Sequence, residues 1–185
     1  MLYSLDGRLR VGHDASMALP EFHGPKDYLD AARSPDASAT DLDQLARSPF
    51  VFVDIAVAGH AATSSNTLAF LLTKASPDDW NGDELLRAIA CNPNSSSELL
   101  STISERVPSL LHHRDRRQGF AAGVALARRI DTPLEALASM LGDDRATTEF
   151  RRVVARESTR AAVVALLRND RSERVRSAAN SNRYA

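Results

Sequence analysis

Apolar residues recur at three- and four-residue spacing along most of the chain, and the same punctuation interrupts them each time. In Leu85 to Ile103, "LLRAIACNPNSSSELLSTI", Leu86, Ile89 and Ala90 line one face of a helix. Asn92-Pro93 then stops it, because a residue before proline is pushed out of the α region and proline cannot donate the next hydrogen bond. A serine restarts the pattern, and Leu99, Leu100 and Ile103 carry a second apolar face. The stretch predicts a helix, a stop, a cap and another helix.

The device repeats. "VDIAVAGHAATSSNTLAFLL" (Val53 to Leu72) and "GVALARRIDTPLEALASML" (Gly123 to Leu141) superimpose on it without gaps. Ala58, Ala90 and Ala127 end the first helix, and Thr63, Ser95 and Thr132 follow five positions later. Val53, Ala56 and Val57 pack the first helix of one unit as Leu86, Ile89 and Ala90 pack that of the next. The Ser or Thr is expected to offer its oxygen to the free N–H groups of the second helix, with Glu98 or Glu135 near its positive end.

A fourth copy, "FRRVVARESTRAAVVALL" (Phe150 to Leu167), has one residue fewer in its turn, with Arg156-Glu157 in place of Asn-Pro. "ERVRSAANSN" (Glu173 to Asn182) begins a fifth, and "YLDAARSPDASATDLDQLARSP" (Tyr28 to Pro49) reads as an earlier one. Taken from the terminal alanines 58, 90, 127, 155 and 179, the intervals are 32, 37, 28 and 24 residues. Pro77 to Asp83 and Arg106 to Gln118 are expected to lengthen the connections between units. Each hairpin is short and one-faced, so it can bury its Leu and Val only against its neighbours. The expected fold is all-α: an α-solenoid of about five stacked helical-hairpin repeats over residues 28–185, with residues 1–27 as an N-terminal extension or cap. Within that cap, "LYSLDGRLRV" (Leu2 to Val11) alternates around Asp6-Gly7 like a small hairpin, and Pro20, Gly24 and Pro25 mark a linker.

"ARSPFVFVDIAVAGHAATSSNTLAFLL" and "RAIACNPNSSSELLSTI" resemble the bacterial leucine-rich repeat variant family, whose units follow Val-Arg-x-Ala-Val-Ala-x-Asn-Pro, then Thr or Ser and a Leu-containing helix. The resemblance covers about 150 residues and shades into HEAT-like repeats. It implies a superhelix of α-helices alternating with shorter helices that can be 3₁₀, and it implies no single activity. The iron–sulfur cluster beside such repeats in some members requires several cysteines, which a chain with only Cys91 lacks.

Composition sharpens the picture. Hydrophobic residues make up 43% and aromatics only 5%, so Ala, Leu and Val must do the packing, as closely spaced helices allow. The lone Cys91 forms no intramolecular disulfide, points to an intracellular compartment, and is expected to be buried as a small apolar residue. No apolar run reaches transmembrane length and no signal-peptide pattern opens the chain; the expected location is a bacterial cytoplasm. The net charge of −1 hides a polarity: up to Glu105 there are 7 basic and 15 acidic residues, and beyond it 16 and 9.

Chemistry-bearing motifs are sparse. His13, His23, His60, His112 and His113 are the histidines, and His60 holds the turn position that Asn92 holds in the next copy. His112, His113 and Asp115 make a poor metal site, since adjacent helical residues point about 100° apart. No phosphate loop, nucleophile elbow or paired carboxylates occur, and no cofactor or metal is expected. Asp78-Asp79 beside Trp80 resembles the Trp and Asp used by some HEAT-like DNA glycosylases, a remote alternative that would need an arginine on the same groove.

Arginine is the stronger signal. Arg152, Arg156, Arg160, Arg168, Arg171, Arg174 and Arg176 crowd the last copies, and on one groove they would suit phosphate or carboxylate. Alternatively they form a solvated face partly neutralised by Glu149, Glu157, Asp170 and Glu173. The last copy ends where its partner helix should begin, which would leave Val175 and Ala178 partly open and invite head-to-tail self-association. These features favour a non-enzymatic scaffold or adaptor that binds another macromolecule, a protein before a nucleic acid.

Overall fold

The computed structural model of the chain describes residues 24–76, 80–112 and 118–184. Among them lie eleven α-helices and no strand or 3₁₀ helix: α1 (Pro25–Arg33), α2 (Ala39–Leu45), α3 (Val51–Gly59), α4 (Ser65–Lys74), α5 (Trp80–Cys91), α6 (Ser97–Leu111), α7 (Phe120–Arg128), α8 (Leu134–Gly142), α9 (Thr148–Glu157), α10 (Ala161–Leu167) and α11 (Glu173–Asn180). The hairpin expected over Leu2 to Val11 lies outside the described residues, as does most of the expected cap.

Helices pack on their next-but-one neighbours: α1 on α3, α3 on α5, α5 on α7, α7 on α9 and α9 on α11, while α6 meets α8 and α8 meets α10. The alanines and branched residues of the repeat make this possible. Ala58, Ala90, Ala127 and Ala155 are buried, with Val57, Ile89, Leu126 and Val154 beside them, in one core that runs from Ala32 to Ala179. Gly123 allows a close approach of α7 to α9, since a Cβ there would sit 2.6 Å from Phe150 Cζ. Phe120 meets the same ring edge-on at 5.5 Å.

Local chemistry sets the boundaries. Ser38, Ser64, Ser96 and Thr147 accept the N–H of Asp41, Thr67, Leu99 and Phe150, capping α2, α4, α6 and α9. Thr63 and Ser95 are therefore not the caps; the cap is the next residue. The buried hydroxyls of Thr63 and Ser95 turn back and donate to Val57 O at 2.5 Å and Ile89 O at 2.6 Å, a second bond to carbonyls that already accept the N–H of His60 and Asn92 at the helix end. Pro25 is not linker but the first residue of α1, a place where its missing N–H costs nothing and its fixed φ suits the helix.

Two other expectations are corrected. The extra residues around 80–83 and 106–111 do not loop out; they extend α5 to 12 and α6 to 15 residues. Pro108 is carried inside α6, and Ser104 Oγ donates to Leu100 O there. Cys91 is exposed, not buried. It sits one residue past Ala90, where Gly59, Arg128 and Arg156 are also exposed, so the register of the helix overrides the apolar preference of the thiol.

Candidate interaction surface

The stop position of each unit does two jobs at once. Asn92, only 2% exposed, uses Nδ2 to donate to Ala58 O (2.7 Å) and His60 O (2.9 Å) of the preceding unit, and Oδ1 to accept the N–H of its own Asn94 (2.9 Å). His60 repeats the pattern one unit earlier: Nε2 lies 3.0 Å from Ser34 O and Nδ1 accepts Ala62 N–H. That arrangement requires the neutral ring with its proton on Nε2. Asn182 repeats it at the far end, with Nδ2 on Ala155 O, Arg156 O and Ser158 O and Oδ1 on Tyr184 N–H.

Where the stop residue is not Asn or His, donors of another type reach the same carbonyls. Arg129 Nη1 donates to Ala90 O at 3.1 Å and also to Asn92 O. Ser158 Oγ donates to Ala127 O at 2.9 Å, and Arg160 Nη1 to Arg129 O and Thr132 O. The carbonyls of Ala58, Ala90, Ala127 and Ala155, four of the five repeat-marking alanines, are thus capped by the unit that follows. Free helix-end carbonyls are the groups a buried C-terminus must satisfy, so the turns form a ladder that ties each hairpin to the last.

On the odd-numbered helices the ladder and core leave one register of side chains free. It carries Phe52, Ile55 and Gly59 on α3, Glu84, Arg87 and Cys91 on α5, Ala121, Val124 and Arg128 on α7, and Glu149, Arg152 and Arg156 on α9, all exposed or half-buried. Its two ends differ in chemistry. Phe52, 40% exposed, stacks on Phe50 at 5.4 Å, whereas the α9 end is charged.

The seven candidate arginines separate. Arg152, Arg156 and Arg174 share an open groove of about 790 Å³ between α9 and α11, together with Glu149, Glu173 and Ser177. Arg152 is held by both oxygens of Glu149 at 2.7 and 2.9 Å, and Arg156 reaches Glu157 at 2.8 Å. The bond to Arg152 and the charges of Arg152, Arg156 and Arg174 hold the Glu149 carboxyl below its ordinary 4.5. Arg160 and Arg176 are half-buried and bound to backbone carbonyls, the latter to Asp170 O at 2.8 Å. Arg171 pairs with Asp144, and Arg168 is exposed on the cap of α10. Of the two residues expected to be partly open at the C-terminal end, Ala178 is half-buried as expected, but Val175 is fully buried against the core, because α11 lies on both α9 and α10 and turns Glu173, Arg174 and Ser177 outward.

The arginine that spacing missed is Arg151, 2% exposed. It donates from Nε to Asp170 at 2.7 Å and from Nη1 to Ala146 O, joining the start of α9 to the α8–α9 and α10–α11 loops. Its counterpart in the earlier unit is Asp54, met by Lys74 Nζ at 2.6 Å, while Lys74 also donates to Ala46 O and Ser48 O. One internal position thus holds an ion pair in both units with the signs exchanged. Counting back four residues from Ala58 and Ala155 would have exposed the correspondence.

Asp83 of α5 accepts the N–H of Gly119, whose φ of 73° is left-handed, and burial pushes its carboxyl up. No group of three His, Cys, Asp or Glu is placed to hold a metal among the described residues. Asp78, Asp79, His113 and Asp115 lie outside them. No helix of the described residues is long and apolar enough to cross a membrane. Comparison with family models, with curated proteins and with solved structures finds no match.

Proposed function

We propose that the chain is a non-enzymatic helical-repeat scaffold of the bacterial cytoplasm, an α-solenoid like that of the leucine-rich repeat variant family, and that it binds a protein along the outward register of its odd-numbered helices. The observation that carries this reading is the ladder. It fixes each unit to the one before it through side-chain donors in the turn that ends the first helix, and so holds the free register as a continuous surface. Rigid presentation lowers the ordering cost of binding an extended partner. The register also mixes exposed aromatic, small and paired charged residues, a mixture suited to a protein partner.

The experiment compares capture from a lysate of the source cells by the wild type, by Ala121→Glu/Arg128→Glu on the register, and by Arg145→Glu in the α8–α9 loop. A protein retained by the wild type and the loop variant and lost on the register variant supports the reading. Identical retention by all three removes it.

The second reading, a nucleic-acid binder, draws on Arg168 and Arg174, which make no ion pair among the described residues. Binding of a labelled DNA duplex at ~50 mM and ~200 mM salt tests it: a steep loss of affinity with salt promotes it, and no binding at the lower salt removes it.

A further inference from the structure

The groove between α9 and α11 is asymmetric in its charges. Glu149 occupies both arms of Arg152. Glu157 is shared between Arg156 at 2.8 Å and Arg128 at 2.6 Å. Arg174, on α11 across the groove, has no carboxylate partner among the described residues. The positive potential of Arg152, Arg156 and Arg174 converges on Glu149, whose carboxyl is held in its ionised form by all three. The protein itself thus supplies an anionic group where the groove is most positive.

We propose that this groove binds the side-chain carboxylates of an acidic peptide segment of the partner protein, and that Glu149 is an internal stand-in which the incoming carboxylate displaces from Arg152. The inference rests on the protein-binding reading above and names the chemistry of the partner. A carboxylate matches the guanidinium fork in the way Glu149 already does, with two parallel bonds. Exchanging one carboxylate for another leaves the desolvation of Arg152 nearly unchanged, and a segment with several carboxylates also pairs directly with Arg174, which has no carboxylate partner of its own among the described residues. The open groove admits an extended chain, and Ser177 on its wall offers a hydroxyl donor. The uniform phosphate row of a duplex fits less well, because Glu173 lines the groove and Glu157 bridges Arg156 and Arg128 beside it, and both would repel it.

Fluorescence anisotropy of a labelled hexaglutamate peptide tests this, with a neutral Gly-Ser peptide of equal length as reference, at ~50 mM salt where exposed charges are weakly screened. The wild type is expected to bind hexaglutamate well above the reference. Arg174→Ala is expected to weaken binding about fivefold, the upper range for one exposed ion pair, and Glu149→Gln to tighten it about threefold. Arg145→Ala, outside the groove, changes nothing. Unaltered thermal midpoints in all three variants establish that the fold is intact. The inference is overturned if Glu149→Gln leaves affinity unchanged or lowers it, if Arg174→Ala has no effect, or if a DNA duplex binds more tightly with the same dependence on these residues. Hexaglutamate that fails to bind while register-dependent capture of a protein persists sinks the inference alone; loss of both sinks the scaffold reading as well.

Discussion

Replacing Asn92 with alanine removes a side chain that uses both its donor and its acceptor in the turn ladder. Three backbone groups lose a partner: the carbonyls of Ala58 and His60 and the N–H of Asn94. The bond to Ala58 O is buried, so that carbonyl faces the full cost of an unmade bond, roughly 1–3 kcal/mol. The other two are partly exposed, and water can reach them at a few tenths to 1 kcal/mol each. The sum is about 2–4 kcal/mol, which for a chain of this length lowers the thermal midpoint by roughly 5–15 °C. Circular dichroism during heating and urea titration measures it. Two further substitutions make the reasoning specific. Asn92→Asp keeps the acceptor for Asn94 N–H but aims a buried carboxylate at two carbonyl oxygens, so it must be worse than alanine. Asn92→His restores a donor and an acceptor in the arrangement His60 already uses, so it must recover part of the loss. An alanine variant within about 0.5 kcal/mol of the wild type, or an aspartate variant more stable than alanine, refutes the claim that the ladder holds the units together.

Four other outcomes follow from the same contacts. Asp170→Asn strands the buried Arg151 guanidinium and is expected to cost about 3–5 kcal/mol in urea unfolding, whereas Arg151→Met together with Asp170→Asn recovers most of it. Gly123→Ala gains about 1 kcal/mol in helix propensity but drives a Cβ into the Phe150 ring, so it is expected to destabilise by about 1–2 kcal/mol net; adding Phe150→Leu should reverse the sign. Cys91 should react with a thiol reagent in the native state at the rate of a free thiol, since it is exposed. On acidification, the carboxyls of Asp41, Glu84, Asp131, Asp143 and Glu149 lie below their ordinary values, chiefly through hydrogen bonds to Ser38, Arg87, Arg129, Arg145 and Arg152 in turn. Their stabilisation is complete above the unfolded values of 3.8 to 4.5 and is lost as pH falls through the folded ones, Asp143 titrating at about 2. Asp54 and Asp83, raised by burial, act in the opposite sense and soften the upper part of that fall. The urea midpoint is therefore expected to be steady above pH 5 and to drop between pH 4 and 2. A midpoint that drops mainly above pH 5 contradicts this assignment.

The helices were legible because their cause is local. Three- and four-residue spacing, Asn92-Pro93 and the recurring alanines mark helix, stop and repeat, and each of those alanines is buried where the spacing put it. The caps were legible to within one residue, since Thr63-Ser64 and Ser95-Ser96 offer two hydroxyls in a row and only the packing decides which faces the core. Val175 was misread because a first helix with no following partner suggests an open end, while α10 and α9 together supply the missing wall.

The arginines were the least legible residues, and the reason connects the charge polarity of the chain to its architecture. The job of capping the previous unit's carbonyls falls to His60 and Asn92 in the acidic part, and in the basic part to Arg129 and Arg160 alongside the neutral Ser158 and Asn182. Arg106 makes the same kind of bond to Leu72 O, Arg151 to Ala146 O and Arg176 to Asp170 O. Among the described residues beyond Glu105, five arginines therefore spend a guanidinium donor on a backbone carbonyl. A neutral amide and a guanidinium satisfy such a carbonyl equally well, but only the second adds a charge, so part of the positive excess in the second half is a by-product of how its units are fastened. Composition cannot separate a fastening arginine from a ligand-binding one; the distance to a neighbouring carbonyl can. By that criterion Arg160 and Arg176 leave the candidate set; of the five that remain, Arg152, Arg156 and Arg174 share the groove between α9 and α11, and Arg168 and Arg171 stand exposed outside it.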